Sequence, residues 1–398
     1  MSGKTVLVLG GGVGGIVAAT RLRASLPRAD RVVLVDRERQ HLFQPSLLWL
    51  AVGQRDAGQI QRPLGRLERK GIEVVQAEIE QIDPERRTVR AGGRELGGNA
   101  IIVSLGAELA PEMVPGLSQA GHNLYSLDGA RAVREALERL RAGRVVVLTA
   151  APAYKCPAAP YEAAMLIESF LRRRGVRGQV DLDLYAAEPG PMGVAGPAVS
   201  AGVRQIVESK GVRYHPEHQV TKVEPEARKL AFANGAEATY DVLVYVPPHR
   251  APAVIRQSVL VGETGWVKVD RGTLETRFPG VFAIGDVVTI PLTMGKPLPK
   301  AGVFAHRQAE VVAANIVRAW TGSGKPRAFD GHGSASSRLG MDAPASAPET
   351  STPSPRRKWG SSHRAAGGTG ARCCSSGAGF GSGSERAAKP KLSKRKHR

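Results

Sequence analysis

Cys156 is the residue of this chain whose neighbours most favour redox chemistry. It follows Lys155 and precedes a helix predicted over residues 161–172. A thiolate in this position is stabilised by the lysine charge and by the positive end of the helix dipole. Because the thiolate is the form that attacks sulfur, the pattern favours thiol–disulfide exchange. The alternative is a small, unreactive cysteine packed in a loop.

A second set of residues predicts a dinucleotide site. Gly10, Gly12 and Gly15 have the G-x-G-x-x-G spacing between an apolar strand, residues 5–9, and a helix, residues 16–26. Gly10 permits the tight turn, Gly12 lets a pyrophosphate approach the backbone, and Gly15 lets the helix pack against the strand. The N-terminus of the helix then directs its N–H groups at the phosphates.

Two further features indicate which dinucleotide binds. A strand over residues 31–35 ends at Asp36, whose carboxylate can accept hydrogen bonds from a ribose. Residues 276–287, TRFPGVFAIGDV, resemble the second flavin motif of flavoproteins with two dinucleotide domains. That resemblance implies that Gly285 and Asp286 contact FAD, with Asp286 bonded to the ribityl chain. A buried strand that delivers both residues at its carboxyl end agrees with this, because α/β folds bind ligands there.

A second dinucleotide unit begins like the first but lacks its glycines. A strand is predicted over residues 144–149, and the loop after it, residues 150–157, reads AAPAYKCP. Side chains occupy the place where a pyrophosphate needs bare backbone, and proline has no N–H to donate. We predict that this domain keeps the fold and does not bind a nicotinamide nucleotide. Because Cys156 lies in this loop, we favour a redox role for it.

The loop and other segments resemble one family. Residues 154–164, YKCPAAPYEAA, resemble the active-site segment of sulfide:quinone oxidoreductases and of the flavoprotein subunits of flavocytochrome c sulfide dehydrogenases. Residues 43–49, FQPSLLW, resemble the family's loop over the flavin, and residues 298–302, LPKAG, resemble the helix start that faces the flavin pyrimidine. Residues 101–107, IIVSLGA, resemble the crossover motif of the wider superfamily. The resemblance covers about residues 1–333.

This resemblance implies an enzyme in which hydrosulfide attacks sulfur at a redox cysteine and electrons pass through FAD to a membrane quinone. The implied catalytic residues are Cys156, Glu162 and Lys300. Glu162 is either a proton acceptor near the sulfur or a solvent-facing acid that favours the helix dipole. Lys300 either stabilises negative charge on reduced flavin or is a solvated surface lysine. The residues expected to bind FAD are Gly10, Gly12, Gly15, Asp36, Pro45, Ser46, Ala77, Gly106, Gly285, Asp286 and Lys300. No histidine spacing indicates a metal site.

One departure from the family, and two related classes of flavoprotein, leave alternatives open. The family's partner cysteine normally follows the segment that matches residues 329–333, but Ser334 and Ala335 stand there, and we interpret Cys373 and Cys374 as by-products. A catalytically impaired flavoprotein that lacks the second redox cysteine is therefore one alternative. A type II NADH:quinone oxidoreductase of the same architecture is another, disfavoured by the loop without glycines. A flavocytochrome subunit is disfavoured because we find no export signal.

Half of the formal charge of +20 lies at the C-terminus. Residues 334–398 contain 13 Lys and Arg against 3 Asp and Glu, and they show no periodicity. One interpretation is a disordered basic tail that contacts anionic lipid or nucleic acid by charge alone, with no specific nucleic-acid recognition. The other is a frameshift near Gly333, because codon degeneracy allows a more protein-like alternative frame that could supply a cysteine at this point.

The elements together predict an α/β fold with two Rossmann-like dinucleotide-binding domains. The FAD domain is discontinuous, residues 1–108 and 255–330, and the second domain spans residues 109–254. No run of 18 apolar residues predicts a transmembrane helix, and the strand at Thr5 leaves no room for a signal peptide. We expect a cytoplasmic enzyme, peripheral on the inner face of the cell membrane, with sulfide or a small thiol as donor and a quinone as acceptor.

Overall fold

The computed structural model describes residues 3–152 and 154–333. The predicted basic tail and the frameshift hypothesis concern residues 334–398 and lie outside this described part. Within it the helices are α1 (Val13–Ser25), α2 (Leu47–Ala51), α3 (Ala57–Ile60), α4 (Leu117–Ala120), α5 (Leu127–Arg139), α6 (Ala159–Arg173), α7 (Pro197–Ser209), α8 (Ala253–Arg256) and α9 (Gly302–Thr321). None of these helices is both long and apolar enough to cross a membrane.

The strands of the described residues form two larger sheets and several small ones. In chain order they are β1 (Thr5–Leu9), β2 (Arg31–Asp36), β3 (Gln40–Leu42), β4 (Gln61–Pro63), β5 (Glu73–Gln76), β6 (Ile79–Asp83), β7 (Thr88–Ala91), β8 (Arg94–Gly97), β9 (Ala100–Val103), β10 (Glu108–Leu109), β11 (His122–Asn123), β12 (Gly143–Thr149), β13 (Val180–Ala186), β14 (Arg213–His215), β15 (Val220–Glu224), β16 (Lys229–Phe232), β17 (Glu237–Thr239), β18 (Val242–Val246), β19 (His249–Arg250), β20 (Val267–Lys268), β21 (Val281–Ala283) and β22 (Val288–Thr289).

The first larger sheet is parallel and has the order β21-β9-β1-β2-β5. Its central strands are apolar on both faces because helices and a small sheet cover them; every residue from Val6 to Leu9 is at most 1% exposed. Helices α1 and α9 contact one another over this sheet. The carboxyl ends of β1, β2, β9 and β21 therefore meet at one edge, where the predicted cofactor residues lie.

The second larger sheet is also parallel and has the order β11-β18-β12-β13-β14. Helix α6 connects β12 to β13 and packs against both strands. This strand–helix–strand unit repeats the arrangement of β1, α1 and β2 in the first sheet. The two sheets confirm the α/β fold with two Rossmann-like units.

The short pair β10–β19 aligns Glu108 with Arg250, close to the ends of the predicted second domain. The boundaries at residues 108/109 and 254/255 would give each larger sheet a domain of its own, and this division remains a prediction. The element boundaries differ slightly from those expected from periodicity: α1 begins three residues earlier than predicted, and α6 begins at Ala159, two residues earlier.

Candidate active site

The glycine turn after β1 has the geometry that a pyrophosphate needs. Gly10 has a φ of +101°, and a Cβ there would lie 2.4 Å from the carbonyl oxygen of Ser104. A Cβ on Gly15 would lie 1.8 Å from the carbonyl oxygen of Gly10. A Cβ on Gly12, by contrast, would have no atom within 4 Å, so this residue faces open space at the N-terminus of α1. The turn therefore fits a dinucleotide, because bare backbone and helix N–H groups face the same space.

Asp36 lies at the carboxyl end of β2, next to this turn. Its carboxylate accepts hydrogen bonds from the backbone N–H groups of Gly11 at 2.5 Å and Glu38 at 2.7 Å. Ala77, another predicted cofactor residue, donates its N–H to the Asp36 carbonyl at 2.9 Å. The structure thus brings Asp36 and Ala77 to the same sheet edge as the glycine turn.

Gly106, Pro45 and Ser46 come from two other segments. Gly106 follows β9, has a φ of +68°, and has open space where a side chain would stand. Pro45 and Ser46 form a single 3-10 turn that leads into α2, and Ser46 is buried. A contact of these three residues with a flavin remains a prediction.

Gly285 and Asp286 follow β21 at the same edge of the first sheet. Gly285 has a φ of +77°, and its N–H donates to Gln308 Oε1 on α9 at 2.7 Å. Burial raises the pKa of Asp286, and the positive charges of Lys155 and Lys300 oppose that rise. A partly buried carboxyl flanked by two lysines fits a ligand that supplies hydroxyl partners.

Lys300 is largely buried, so the solvated-lysine alternative is wrong. Its Nζ donates to the carbonyl oxygens of Asp286 at 2.6 Å and Val288 at 3.1 Å, and it lies 3.5 Å from the ring centroid of Trp266. Burial lowers the pKa of Lys300 to about 8, and the nearby Asp286 carboxylate opposes the shift. The lysine is two residues before α9 begins, as its resemblance to a helix start predicted.

Cys156 contacts Lys300 through a backbone hydrogen bond. Its backbone N–H donates to the Lys300 carbonyl at 2.6 Å, and its own carbonyl accepts from Ala159 at 2.9 Å and from the Tyr125 hydroxyl at 3.2 Å. The Tyr125 hydroxyl also donates to the Lys155 carbonyl at 2.8 Å. Cys156 has a φ of +53°, a conformation that a non-glycine residue rarely adopts and that is common at functional sites. The structure therefore brings two of the three predicted catalytic residues together.

Lys155, Tyr125 and His249 lie around the contact between Cys156 and Lys300, and no sequence motif marks Tyr125 or His249. Lys155 is only 8% exposed, and burial lowers its pKa, while Asp286 and Cys156 raise it. Its Nζ lies 5.9 Å from the ring centroid of Tyr125, and the ring of His249 lies 5.7 Å from that same ring. Burial, together with the charges of Lys155 and Lys300, lowers the pKa of His249 to about 3. His249 is therefore neutral at physiological pH.

Glu162 lies in the first turn of α6 and is only 2% exposed. The solvent-facing alternative for this residue is therefore wrong. Its role as a proton acceptor remains a prediction.

Glu188 lies two residues beyond the carboxyl end of β13, close to the position that Asp36 has as the last residue of β2 in the first unit. Its carboxylate accepts hydrogen bonds from the hydroxyls of Tyr154, Tyr161 at 2.7 Å and Thr149 at 2.9 Å. The acid that would accept hydrogen bonds from a ribose in a second dinucleotide site therefore accepts them from hydroxyl groups of the protein. No motif in the sequence marks this group, because the three hydroxyls approach Glu188 only through packing of the loop and α6 against β13.

Replacing Glu188 should lower stability. Glu188→Ala removes the acceptor of three hydroxyl groups on buried residues, so we expect the free energy of unfolding to fall by about 2–4 kcal/mol. Glu208→Ala is the control, since this exposed carboxylate has one surface ion pair with Arg204 and should cost under about 1 kcal/mol. Urea unfolding of both variants measures the difference, and equal losses would contradict the structural role of Glu188.

The sequence pattern of one family covers most of the described chain. The pyridine nucleotide-disulphide oxidoreductase pattern matches residues 4–309. A mitochondrial sulfide:quinone oxidoreductase of Mus musculus is 27% identical over 300 residues, which are 72% of this chain and 66% of that protein. A sulfide-quinone reductase of Aquifex aeolicus is 28% identical over 332 residues, 79% of this chain and 76% of that protein. The chain thus spans about two thirds to three quarters of the length of these relatives.

The solved structures agree with the sequence relatives. The sulfide:quinone oxidoreductase of Aquifex aeolicus superposes with a TM-score of 0.77 at 26% identity, covering 85% of this chain and 82% of that one. A type II NADH:quinone oxidoreductase of Haemophilus influenzae is also similar, at 23% identity over 79% of this chain and 80% of that protein. These findings confirm the resemblance inferred from residues 154–164. They also show that a type II NADH:quinone oxidoreductase, the class predicted as an alternative, is a relative of lower identity.

Proposed function

The chain belongs to the pyridine nucleotide-disulphide oxidoreductase family, and we propose that it is an FAD-dependent sulfide:quinone oxidoreductase. Sulfide or another small thiol gives electrons through Cys156, and a quinone receives them. The observation that carries this proposal is the contact between Cys156 and Lys300. A loop without glycines brings the thiol residue against the segment that leads into α9, where a nicotinamide-using relative needs room for a nucleotide.

The residues around the edge of the first sheet would hold FAD. Gly12 and the N-terminus of α1 would bind its pyrophosphate, Asp36 would accept hydrogen bonds from its ribose, and Asp286 would accept them from its ribityl chain. The open space at Gly12 and the partly buried Asp286 carboxyl, whose pKa burial raises, support this assignment. When bound, the flavin supplies a two-electron acceptor for the thiolate and a two-electron donor for the quinone.

Charged residues around Cys156 provide the protein's contribution to the reaction. The buried Lys155 ammonium interacts with the Cys156 thiolate, and this favours the ionised thiol. Each hydrosulfide loses its proton and two electrons, and its sulfur remains as sulfane sulfur on Cys156. The quinone takes up these two electrons and two protons, one released by hydrosulfide and one from the solvent. Glu162, buried at the start of α6, is the proposed proton acceptor on the protein.

The rate should fall as pH rises through about 8, because Lys300 then loses its charge. Its pKa of about 8 leaves roughly a tenth of the side chains protonated at about pH 9. We expect the sulfide-dependent rate to fall about tenfold between about pH 7 and pH 9 in the wild type. Lys300→Arg keeps a positive charge throughout this range, so its rate should change less than about threefold.

The control for this profile is Lys296→Arg, an exposed lysine four residues earlier, which should follow the wild type. The measurement is the pH dependence of flavin reduction at saturating sulfide. If Lys300→Arg kept the full decline above about pH 8, another group would be responsible.

Steady-state quinone reduction tests the proposed activity. The flavin-loaded protein should reduce a short-chain ubiquinone with sulfide as donor, and NADH should give less than about a hundredth of that rate. A rate with NADH that equals or exceeds the sulfide rate would overturn the proposal and support the NADH:quinone oxidoreductase alternative. Docking of the enzyme on the inner face of the membrane, where its quinone is dissolved, is part of the same proposal.

A catalytically impaired flavoprotein is the second candidate, and one observation favours it. Cys156 is the sole cysteine between residues 3 and 333 of the described chain. Gly333, after which the family's partner cysteine would stand, lies against Phe304 of α9: a Cβ there would be 2.5 Å from the Phe304 ring. If the flavin-loaded protein reduced no quinone with sulfide or NADH, this candidate would replace the first. Mass spectrometry of the intact native protein determines whether residues 334–398 and their cysteines are present.

A further inference from the structure

A cleft of about 630 Å³ opens between α2, α5 and α6. Of the segments assigned above to FAD or to the thiol chemistry, only the 43–49 loop reaches it, through its last residue, Trp49. Its lining includes two aromatic side chains, Trp49 and Phe170, together with several guanidinium groups. The volume lies within the range of about 300–1,000 Å³ that is typical of small-molecule sites.

The charge of this cleft is strongly positive. Its lining contains four arginines, Arg55, Arg134, Arg173 and Arg174, and a single carboxylate, Glu138. Glu138 is paired with Arg134 at 3.0 Å, and Arg134 also contacts Asp56 at 3.2 Å. Among residues 3–152 and 154–333, neither Arg55 nor Arg173 has a carboxylate within ion-pair distance. An anion that entered the cleft would therefore meet uncompensated positive charge.

The guanidinium groups are held in place by other contacts. The Arg55 guanidinium lies 5.2 Å from the ring centroid of Trp49, and the Arg174 guanidinium lies 5.6 Å from that of Phe170. Arg174 also donates to the Glu138 carbonyl at 2.7 Å, and Arg173 donates to Ser169 Oγ at 2.8 Å. Because these contacts already order the side chains, a ligand would lose less free energy in fixing them.

We propose that this cleft binds a ligand bearing phosphoryl groups with two or more negative charges. Guanidinium forks match phosphoryl oxygens in paired hydrogen bonds, which are stronger than hydrogen bonds between neutral groups. The excess of three arginines over carboxylates suits a dianion or trianion. A free phosphorylated metabolite and the head group of an anionic phospholipid present the same chemistry, and the experiment separates them.

The test uses the full chain loaded with FAD, so that the dinucleotide turn is already filled. Pyrophosphate is titrated by calorimetry, and vesicles of phosphatidylglycerol in phosphatidylcholine are tested by cosedimentation. The double variant Arg55→Gln/Arg173→Gln should bind pyrophosphate or the vesicles at least about tenfold more weakly than the wild type. The control Arg131→Gln/Arg139→Gln removes the same charge from exposed positions of α5 outside the cleft and should bind like the wild type.

Each result has a defined meaning. A loss confined to pyrophosphate identifies a small phosphorylated ligand, and a loss confined to vesicles identifies a lipid head group; both support the site. Equal weakening in the two double variants, or no binding of either probe by the wild type, overturns it. The basic residues 334–398 are present in every protein compared, so their contribution cancels. Arg173→Gln alone, at an exposed position, repeats the test if the double variant unfolds.

Discussion

Cys156→Ser should abolish reduction of the flavin by sulfide. We expect the rate to fall at least about a thousandfold, because the serine hydroxyl stays protonated and cannot accept sulfur or pass electrons as a thiolate does. The protein should remain yellow, since the substitution keeps the backbone N–H and carbonyl through which Cys156 contacts Lys300 and Tyr125. Stopped-flow absorbance of the flavin under anaerobic sulfide measures the effect.

The control for this variant is Cys373→Ser/Cys374→Ser. These two cysteines lie in residues 334–398, and we interpret them as by-products, so the double variant should reduce its flavin at the wild-type rate. A Cys156→Ser protein that kept more than about a tenth of the rate would exclude a thiol path through Cys156. A loss in the double variant instead would assign the partner thiol to the C-terminal segment.

Gly12→Val should remove FAD without unfolding the protein. A Cβ on Gly12 meets no atom within 4 Å and the residue has a φ of −72°, so the chain tolerates a side chain there. The same side chain would fill the space in which the pyrophosphate approaches the backbone. We expect affinity for FAD to fall more than about a hundredfold while the urea midpoint of the flavin-free protein is unchanged.

Gly178→Val is the matched control, because Gly178 also has open space around its Cβ position but lies far along the chain in a short 3-10 turn. It should keep the wild-type flavin content, measured from the absorbance ratio of flavin to protein. Full flavin content in Gly12→Val would show that the dinucleotide does not lie on this turn.

Sequence patterns predicted the parts of the site that depend on local backbone. The turn at Gly10, Gly12 and Gly15 could be read from spacing, since each glycine has its own steric reason. Residues 150–157 could be recognised as a loop unable to cradle a phosphate, since proline and bulky side chains replace the glycines. These features need no knowledge of distant residues.

Contacts made by tertiary packing could not be predicted in the same way. Tyr125 and His249 come from distant parts of the chain, and no motif marks either of them. Glu162 could not be placed because α6 is buried along almost its whole length, so an acid in its first turn is covered where a surface helix would expose it. Likewise, the three hydrogen bonds that Glu188 accepts from hydroxyl groups form only when the second sheet has folded.

The most direct test of a thiol path is the response of the bound flavin to two donors under anaerobic conditions. The FAD-loaded protein is mixed in turn with sulfide and with NADH, and the flavin absorbance is followed in a stopped-flow instrument. Sulfide should bleach the flavin within the turnover time, and NADH at the same concentration should leave it oxidised. Bleaching by NADH at a comparable rate would contradict the claim that the second Rossmann-like unit uses a redox cysteine in place of a nicotinamide nucleotide.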